Sequence, residues 1–324
     1  MKEILFYFLG GFGVAIIITP FIISWLRRLK AGQEILHYVD WHATKSGTPT
    51  MGGFIFMVPM LLLAPLLISG ATPLSLILLL GAFGYGILGF LDDFLKIKNK
   101  KNLGLRAYQK FIGQGGIAIL VSVFYFLANP DGQIFVPFAN VTFNLYWGII
   151  PLAILVMVAT TNSVNITDGV DGLAGSVSLV YLVGLSVMMT MVAGFVNMPE
   201  VETFLLIAAV TMGALLCYLI FNTNKARVFM GDTGSLYLGG LIALLSLFSM
   251  NVLFLPILGI MFVLNTASDI AQVVYFKLTK GKRIFLMAPF HHHLEKKGWA
   301  EARIVWLYCA ITVIACVVCV ITLL

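Results

Sequence analysis

The chain has 324 residues, of which 60% are hydrophobic and only 10% are charged, and its mean hydropathy is +1.01. Soluble globular domains carry about 25% charged residues, so this composition excludes that class and indicates an integral membrane protein. No separate soluble domain is visible, and we expect one integral membrane domain over residues 1–324.

Apolar runs of about twenty residues recur along the chain, and each can cross a hydrocarbon core of about 30 Å as a helix. The first run lacks a small-residue cleavage site and more runs follow, so we expect a retained helix rather than a signal peptide. The predicted fold class is an all-α polytopic membrane protein with ten transmembrane helices. The predicted spans are 4–25, 51–68, 74–91, 111–128, 146–161, 173–193, 204–221, 236–250, 253–276 and 304–324.

The distribution of basic residues predicts the orientation in the membrane. With ten spans, the loops after odd-numbered helices share one side and hold 19 of the 20 Lys and Arg residues. By the positive-inside rule that side is the cytoplasm, which leaves both termini outside and places the candidate active site on the cytoplasmic face. Only the Met250-Asn251 neighbourhood separates the eighth and ninth spans. On the outer face, alternation within 129–145 predicts a small hairpin.

The first cytoplasmic loop ends with Lys45 and the segment SGTPTMGG at 46–53. Small hydroxyl and glycine residues at the start of the second helix leave backbone N–H groups open to an anion, so the segment is similar to a phosphate cradle. The alternative is an ordinary N-cap followed by close helix packing through Gly52 and Gly53, and the segment alone favours this alternative.

The third predicted helix contains glycines that allow close helix approach and ends in the segment 90–96, which carries the adjacent carboxylates Asp92 and Asp93. Adjacent helical residues point about 100° apart, so we expect the two carboxylates not to aim at one atom, with one in a supporting role. A carboxylate is unfavourable at a helix C-terminus, which favours function over a solvated helix end. The basic loop at 96–110 fits the positive-inside pattern and contact with lipid headgroups.

The central segment 162–172 carries Asp168 and Asp171 between two apolar runs, yet no Lys or Arg lies between Lys110 and Lys225. An acidic loop at a membrane surface without basic partners must obtain cations from other loops, from a metal or from both. We therefore expect the rest of the chain to supply them.

The segment 221–235 repeats this pattern, with Asp232 beside glycines at the start of the eighth helix. Glycine-rich helix N-termini next to carboxylates suit a phosphate bound through a divalent metal. Mg²⁺ is the metal that this arrangement favours, because it takes a few carboxylate oxygens together with substrate phosphates.

The last cytoplasmic loop contains three consecutive histidines, His291, His292 and His293. Helical geometry would point them in different directions, so at most two can face a common site. No metal-ligand spacing repeats here, which disfavours a tight metal site. A role as neutral or cationic donors to phosphates is the better interpretation.

These motifs closely resemble those of the phospho-N-acetylmuramoyl-pentapeptide transferases, a branch of the polyprenyl-phosphate N-acetylhexosamine-1-phosphate transferase superfamily. The resemblance covers the whole chain, including its length and the number of spans. The acidic motifs are shared across the superfamily, whereas the triple histidine and the SGTPTMGG segment point to the muramoyl-pentapeptide branch. The matching segments are 45–53, 91–94, 162–172, 228–235 and 289–295.

The resemblance implies a Mg²⁺-dependent transfer of phospho-MurNAc-pentapeptide from UDP-MurNAc-pentapeptide to undecaprenyl phosphate, giving lipid I and UMP. It also implies a multi-pass homodimer in the bacterial cytoplasmic membrane, with no nucleic-acid partner. By the same resemblance, Asp232 is a metal ligand and Asp92 is the base that deprotonates the lipid phosphate. A rival family mechanism has an aspartate attack covalently, and the sequence leaves both mechanisms open.

The resemblance also supplies the other site residues. It places Asn165, Asp168 and Asp171 at the nucleoside and sugar-phosphate pocket, with Phe229 stacked on uracil. The candidate catalytic residues are Asp92, Asp93, Asp232 and His291. The candidate substrate-binding residues are Lys45, Thr50, Lys96, Asn165, Asp168, Asp171, Asn222, Phe229, His292 and His293.

The chain departs from the family pattern at two places. The family pattern has Asn-Ala-x-Pro before the VFMGD string, where this chain has NTNK at 222–225. It also has an acidic residue near the position of Asn265 in the ninth span. Neither departure alters Asp232, so both bear on loop geometry and substrate tuning rather than on the class of reaction.

Two alternatives remain beside the muramoyl-pentapeptide transferase. A related enzyme that uses a UDP-N-acetylhexosamine donor is disfavoured by the triple histidine. A transporter would place polar groups near the bilayer midplane on broken helices. Here the polar residues collect at one face and the helix centres are nearly free of charge, with Asp269 as the main exception of open role.

Overall fold

The computed structural model describes residues 2–29, 47–67, 72–99, 104–223 and 225–324, which form a helical bundle with one small hairpin. Eight of the described helical segments are long and apolar enough to cross a membrane, so the protein is a multi-pass membrane protein. The helices are α1 (Lys2–Arg28), α2 (Phe54–Leu67), α3 (Pro73–Asn99), α4 (Ala107–Ala128), α5 (Ile149–Thr167), α6 (Leu173–Val192), α7 (Val201–Asn222), α8 (Gly231–Phe248), α9 (Leu255–Leu258), α10 (Ile260–Leu278), α11 (Phe290–Lys296) and α12 (Glu301–Ile321).

Each predicted span coincides with helix, but the number of membrane crossings stays a prediction. Helix α2, which has 14 residues, and helix α10 are not among the eight helical segments that are long and apolar enough to cross a membrane. The ninth predicted span is also broken, because Gly259 separates α9 from α10. Glycine is a poor helix former, which explains an interruption at this position.

The predicted hairpin on the far side of the bundle is confirmed. Strands β1 (Gln133–Val136) and β2 (Val141–Asn144) pair antiparallel. The backbone N–H of Phe135 donates to the carbonyl of Met250 at 3.2 Å, so the hairpin packs against the turn after α8. Met250 has a left-handed φ of 58°, which confirms the turn predicted between the eighth and ninth spans.

Helix α8 lies at the centre of the bundle, and every residue from Thr233 to Phe248 is buried. It packs closely against α3 and α5. Gly89 of α3 lies against the backbone carbonyl of Asp232, and a Cβ added there would overlap that oxygen. The glycines of the third helix therefore do allow close helix approach, and they bring α3 to the first turn of α8.

Helix α3 extends three residues beyond Lys96, so Asp92 and Asp93 lie within the helix and not at its C-terminal end as expected. The helix continues to Asn99, and the two aspartates are 3% and 2% exposed. The added turn is favoured by Lys96 and Lys98, whose positive charges lie at the negative end of the helix. Both carboxylates therefore belong to the interior of the bundle.

Candidate active site

Three carboxylates from two helices form the centre of the candidate site. Asp92 and Asp93 of α3 and Asp232 of α8 have ligand oxygens that all lie within 4.8 Å of one another. We call these three residues the carboxylate cluster. Their proximity follows from the contact of Gly89 with the Asp232 carbonyl, because Gly89 precedes the acidic pair by one helical turn.

The ammonium of Lys96 lies within the carboxylate cluster. Its Nζ is 2.6 Å from Asp92 Oδ2, 3.5 Å from Asp93 Oδ1 and 2.8 Å from Asp232 Oδ2. The expectation that Asp92 and Asp93 would not aim at one atom is therefore wrong. Lys96 is three and four residues beyond them on α3, so its long side chain reaches both.

Two further helices contribute polar groups to Asp232. Asn165 of α5 donates from Nδ2 to Asp232 Oδ1 at 2.6 Å and to Ser235 Oγ at 2.8 Å. Lys110 of α4 donates from Nζ to Asp232 Oδ2 at 3.1 Å. The central segment was expected to obtain cations from other parts of the chain, but Lys96 and Lys110, which lie on α3 and α4, pair with Asp232 rather than with Asp168 or Asp171.

The two aspartates of α3 have different surroundings. Asp93 Oδ2 accepts hydrogen bonds from the backbone N–H of Thr233 at 2.9 Å and from its hydroxyl at 2.7 Å. Asp93 therefore provides an acceptor for one of the backbone N–H groups that have no partner within the first turn of α8. Asp92 Oδ1 accepts from the N–H of Leu105 at 2.7 Å, while its Oδ2 meets Lys96. Asp93 thus has the supporting contacts expected for one member of the pair.

The donor set of the carboxylate cluster fits a divalent cation. If all three carboxylates are ionised, they carry one more negative charge than the ammonium groups of Lys96 and Lys110 compensate. Buried like charges repel, so an additional cation is favourable at this place. The ligands are carboxylate oxygens, which Mg²⁺ prefers, and the position of Lys96 Nζ marks where positive charge is stabilised.

Asp171 and Asn222 fix the loop that leads into α8. Asn222 accepts from the N–H of Gly172 at 2.9 Å and donates to the carbonyl of Val228 at 2.9 Å. Asp171 Oδ2 accepts from the N–H of Ala226 at 3.0 Å. The two side chains therefore join the segment before α6 to the segment 225–230.

Phe229 lies in this loop with its side chain half-buried. Its N–H donates to the carbonyl of Pro49 at 2.8 Å, and its carbonyl accepts from Gly52 at 2.7 Å. The backbone of this residue is thus held from both sides, and the ring remains partly accessible for stacking.

The two glycines before α2 do not form part of a phosphate cradle. The N–H groups of Gly52 and Gly53 donate to the carbonyls of Phe229 and Met230 at 2.7 and 3.1 Å, so neither is open to an anion. A Cβ on Gly53 would overlap Gly234, which confirms the alternative of close helix packing.

Thr50 and Lys45 are the predicted substrate-binding residues of this first loop. Thr50 is buried beside the start of α8, where a Cβ on Gly231 would lie 2.5 Å from both Thr50 Oγ1 and Asp93 Oδ2. Thr50 therefore borders the carboxylate cluster. Lys45 lies outside the described residues.

Asp168 follows the last residue of α5 and is half-buried. Burial raises the pKa of its carboxyl well above the usual range, and the negative charges of Asp232, Asp93 and Asp171 add to the effect. The raised pKa favours the neutral carboxyl, so Asp168 adds less negative charge to the site than an exposed aspartate would.

The three histidines point in different directions, as predicted. His291 is fully buried, with Nδ1 3.4 Å from Asn265 Oδ1. His292 Nδ1 lies 2.5 Å from Glu295 Oε2. His293 Nδ1 accepts from the N–H of Leu286 at 3.1 Å, and burial, with a smaller contribution from the Lys297 cation, lowers its pKa. The contact of His293 with Leu286 joins α11 to the segment before it.

Sequence reasoning missed several residues of the site. Lys110 was assigned to a solvated basic loop, but it lies in the first turn of α4 and contacts Asp232. A cation is unfavourable at the positive end of a helix, and this signal could have identified it. Thr233 and Ser235 gave no comparable signal, because their hydrogen bonds depend on which helices pack together. Asn265 stood out only as a departure from the family pattern, which did not indicate its bonds.

A cavity of 440 Å³ lies between α10 and the segment before α11. Asp269, whose role the sequence left open, lines this cavity together with Gln272, Lys277 and Arg283. Gln272 Oε1 accepts from the N–H groups of residues 284 and 285 at 3.1 and 3.0 Å, which holds the segment across the cavity.

Comparison with known proteins places this site in a known class. The family model described as Glycosyl transferase family 4 matches residues 75–250, which include the carboxylate cluster and the central segment. This range extends from the start of α3 to the turn after α8.

Full-length relatives define the family within that class. Phospho-N-acetylmuramoyl-pentapeptide-transferase of Caldanaerobacter subterraneus subsp. tengcongensis is 44% identical over 316 residues, covering 97% of each chain. The proteins of the same name from Heliobacterium modesticaldum and Clostridioides difficile are 43% and 40% identical, and each match covers 97% of this chain and 96% of the relative. The chain belongs to the phospho-N-acetylmuramoyl-pentapeptide-transferase family.

Proposed function

We propose that the protein transfers phospho-MurNAc-pentapeptide from UDP-MurNAc-pentapeptide to undecaprenyl phosphate, giving lipid I and UMP. The name shared by its relatives supports the donor and the reaction. The observation that carries the proposal is the carboxylate cluster with Lys96 and Lys110 at the first turn of α8. Phosphoryl transfer needs charge stabilisation and fixed positioning more than it needs covalent chemistry from the protein.

The reaction would take place at the inner face of the bacterial cytoplasmic membrane. In this proposal all ten predicted segments cross the bilayer, both termini lie outside, and the chain forms a single membrane domain that pairs as a homodimer. The support for the orientation is the location of 19 of the 20 Lys and Arg residues in loops on one side. A lipid acceptor and a water-soluble donor can meet only at such a membrane surface.

In the proposed site Asp232 would hold Mg²⁺ with the carboxylate of Asp93 beside it, and the ion would supply positive charge to stabilise the transferred phosphate. Lys96 and Lys110 add fixed positive charge beside Asp232. Asn165 keeps the Asp232 carboxylate in place through its 2.6 Å hydrogen bond. These groups are oriented before substrate binds, so little reorganisation accompanies the reaction.

The nucleotide would bind along the loop before α8. Phe229 stacks on uracil, while Asp171 and Asn222 keep its loop in position through the contacts described above. The remaining residues of the proposed substrate-binding and catalytic set are Lys45, Thr50, Asp168, His291, His292 and His293.

We propose direct attack by the lipid phosphate. An oxygen of undecaprenyl phosphate forms a bond to the phosphorus that carries the sugar, the bond from that phosphorus to the bridging oxygen breaks, and UMP leaves with that oxygen. Asp92 takes the proton from the lipid phosphate at Oδ2 as the bond forms. A covalent phospho-sugar enzyme isolated after mixing protein and donor without lipid would remove this version of the mechanism.

UMP release tests the proposed function directly. Purified protein with Mg²⁺, undecaprenyl phosphate and UDP-MurNAc-pentapeptide should release UMP, and release should require the lipid. The same assay with UDP-GlcNAc serves as the specificity control. Faster turnover with UDP-GlcNAc would assign the protein to the hexosamine-donor enzymes instead, and no release with either donor would reject the proposal.

A further inference from the structure

A closed polar network surrounds His291 where four helices meet. It contains Asn265 of α10, Tyr308 of α12 and Thr167 of α5, and all four side chains are fully buried. Within a buried network each donor must face an acceptor, since an unmatched polar group costs about 1–3 kcal/mol. The hydrogen positions in this network can therefore be deduced from its connections.

The orientation of the Asn265 amide follows from Thr167. The Thr167 hydroxyl donates its single hydrogen to the carbonyl of Ser163 at 2.8 Å. Towards Asn265, 3.0 Å away, it can therefore only accept, so the amide group facing it is the Nδ2 donor. The amide oxygen Oδ1 must then face the opposite way, towards Tyr308 and His291.

The position of the imidazole proton follows from the amide oxygen. Oδ1 accepts from the Tyr308 hydroxyl at 2.8 Å and lies 3.4 Å from His291 Nδ1. Because an amide oxygen cannot donate, Nδ1 must carry the hydrogen in this contact. The other neutral tautomer would place the Nδ1 lone pair against Oδ1 in a buried site.

The other nitrogen of the ring faces the central acidic segment. A Cβ added to Gly169 would overlap His291 Nε2, so this nitrogen lies directly against the backbone between Asp168 and Asp171. We propose that Asn265 is a positioning residue that keeps the His291 proton on Nδ1, so that Nε2 faces the Gly169 segment as the hydrogen-bond acceptor of the neutral ring. This inference rests on the proposed function only for its effect on catalysis.

In its neutral form, His291 would therefore not donate a hydrogen bond to a phosphate from Nε2, contrary to the role expected from the sequence. A donor to phosphate needs hydrogen on the nitrogen that faces the substrate, whereas the neutral ring in this network presents a lone pair there. Among the described residues, the titratable groups near the ring include Asp168 and Asp171 on either side of the Gly169 segment, Tyr308, which bonds Asn265, and His292, whose ring centroid is 4.2 Å away. None of these groups replaces the amide oxygen at Nδ1.

Nitrogen NMR of the full-length protein with ¹⁵N-labelled histidine rings tests the tautomer. The correlation pattern of ring nitrogens and carbon-bound protons distinguishes the two neutral forms, and His291→Gln identifies the signal. At pH of about 8, above the usual imidazole pKa of about 6.5, His291 of the wild type should show hydrogen on Nδ1. Hydrogen on Nε2 would overturn the proposal whether or not any variant folds.

Three variants complete the test. Asn265→Leu removes the acceptor and should move the proton to Nε2, whereas Asn265→Asp retains an acceptor oxygen and should keep it on Nδ1. Asn251→Leu is the matched control and should keep the His291 proton on Nδ1, since Asn251 is an equally buried amide whose side-chain bonds to the described residues lie within the turn after α8. An Nδ1 proton that persists in folded Asn265→Leu would also overturn the proposal.

The catalytic consequence is measured separately by UMP release. Asn265→Leu should lower kcat by about 10- to 100-fold with little change in KM, less than the about 10²–10⁴-fold contributed by a group that transfers a proton itself. Asn265→Asp should recover most of that loss. If the wild type releases no UMP, the proposed function fails, while the tautomer assignment is still decided by NMR.

Discussion

The Lys96 ammonium lies 2.8 Å from the Asp232 carboxylate, although 136 residues separate the two in sequence. The same nitrogen also meets Asp92 and Asp93, so one cation of the chain occupies the position that suits a metal ion. A divalent cation that binds the carboxylate cluster must therefore compete with Lys96 or displace it. The affinity of this site for a metal ion therefore depends on the position and charge of Lys96.

Replacing Lys96 by methionine should separate these contributions. Lys96→Met removes one positive charge from the carboxylate cluster, so Mn²⁺ used as a Mg²⁺ substitute should bind at least about tenfold more tightly, equivalent to about 1.4 kcal/mol. UMP release should fall because the fixed ammonium is lost. Electron paramagnetic resonance of free Mn²⁺ measures the affinity. Lys110→Met, which loses a contact to Asp232 only, should show a smaller gain; unchanged or weaker Mn²⁺ binding to Lys96→Met would contradict this view.

Gly89→Ala should disrupt the contact that brings α3 to α8. The added Cβ would overlap the Asp232 carbonyl, so the helices must separate, at a cost of about 1–3 kcal/mol in unfolding free energy. UMP release should fall as the carboxylates move apart. Gly84→Ala is the matched control on the same helix, because its Cβ would make an ordinary contact at 3.5 Å with Ile117. Thermal unfolding in detergent and UMP release should distinguish the two, and equal behaviour of both variants would refute the role of Gly89.

Thr233→Val should test the supporting role of Asp93. The change removes the 2.7 Å hydrogen bond from the Thr233 hydroxyl but keeps the volume of the side chain and the backbone bond. A hydrogen bond to a charged group contributes about 1.5–3 kcal/mol, so the folded protein should lose stability by that order. Denaturant unfolding measures the change. Thr312→Val, which loses a buried hydroxyl bond within α12, provides the comparison, and a smaller loss for Thr233→Val than for Thr312→Val would count against this role of Asp93.

The sequence predicted the helical bundle well because apolar runs of span length have one structural solution in lipid. It also identified Asp92, Asp93, Asp232, Lys96 and Asn165, which the structure joins in one site. The roles of these residues came from the family resemblance. The acidic character of the central loop indicated that cations must lie nearby.

Other features depended on tertiary contacts that a linear pattern does not contain. The N–H groups of Gly52 and Gly53 looked open to an anion, but carbonyls of the loop before α8 accept them. Asp92 and Asp93 looked divergent, but the flexible side chain of Lys96 meets both. His291 contacts Asn265 of α10, which in turn bonds Tyr308 of α12 and Thr167 of α5, and the packing of these helices cannot be read from periodicity.

Asp168→Asn should stabilise the protein at neutral pH. The folded-state pKa of Asp168 is raised, whereas an unfolded aspartate titrates near about 3.9. Between those values the folded state binds more protons, so stability falls as pH rises through this window and the loss persists above it. Thermal unfolding should show a higher Tm for Asp168→Asn at pH of about 7, with the gain shrinking towards pH of about 4. Asp131→Asn, at an exposed position before β1, should show no such trend; a gain that grows at low pH would contradict the assignment.

The central claim is that the carboxylate cluster carries phosphoryl transfer, and Asp232→Asn tests it most directly. The amide keeps the size of the side chain but removes the charge that faces Lys96, Lys110 and the proposed Mg²⁺. Single-turnover UMP release from UDP-MurNAc-pentapeptide, with undecaprenyl phosphate and Mg²⁺, should fall by at least about 10²-fold in the folded variant. UMP release at the wild-type rate from folded Asp232→Asn would contradict the proposed site.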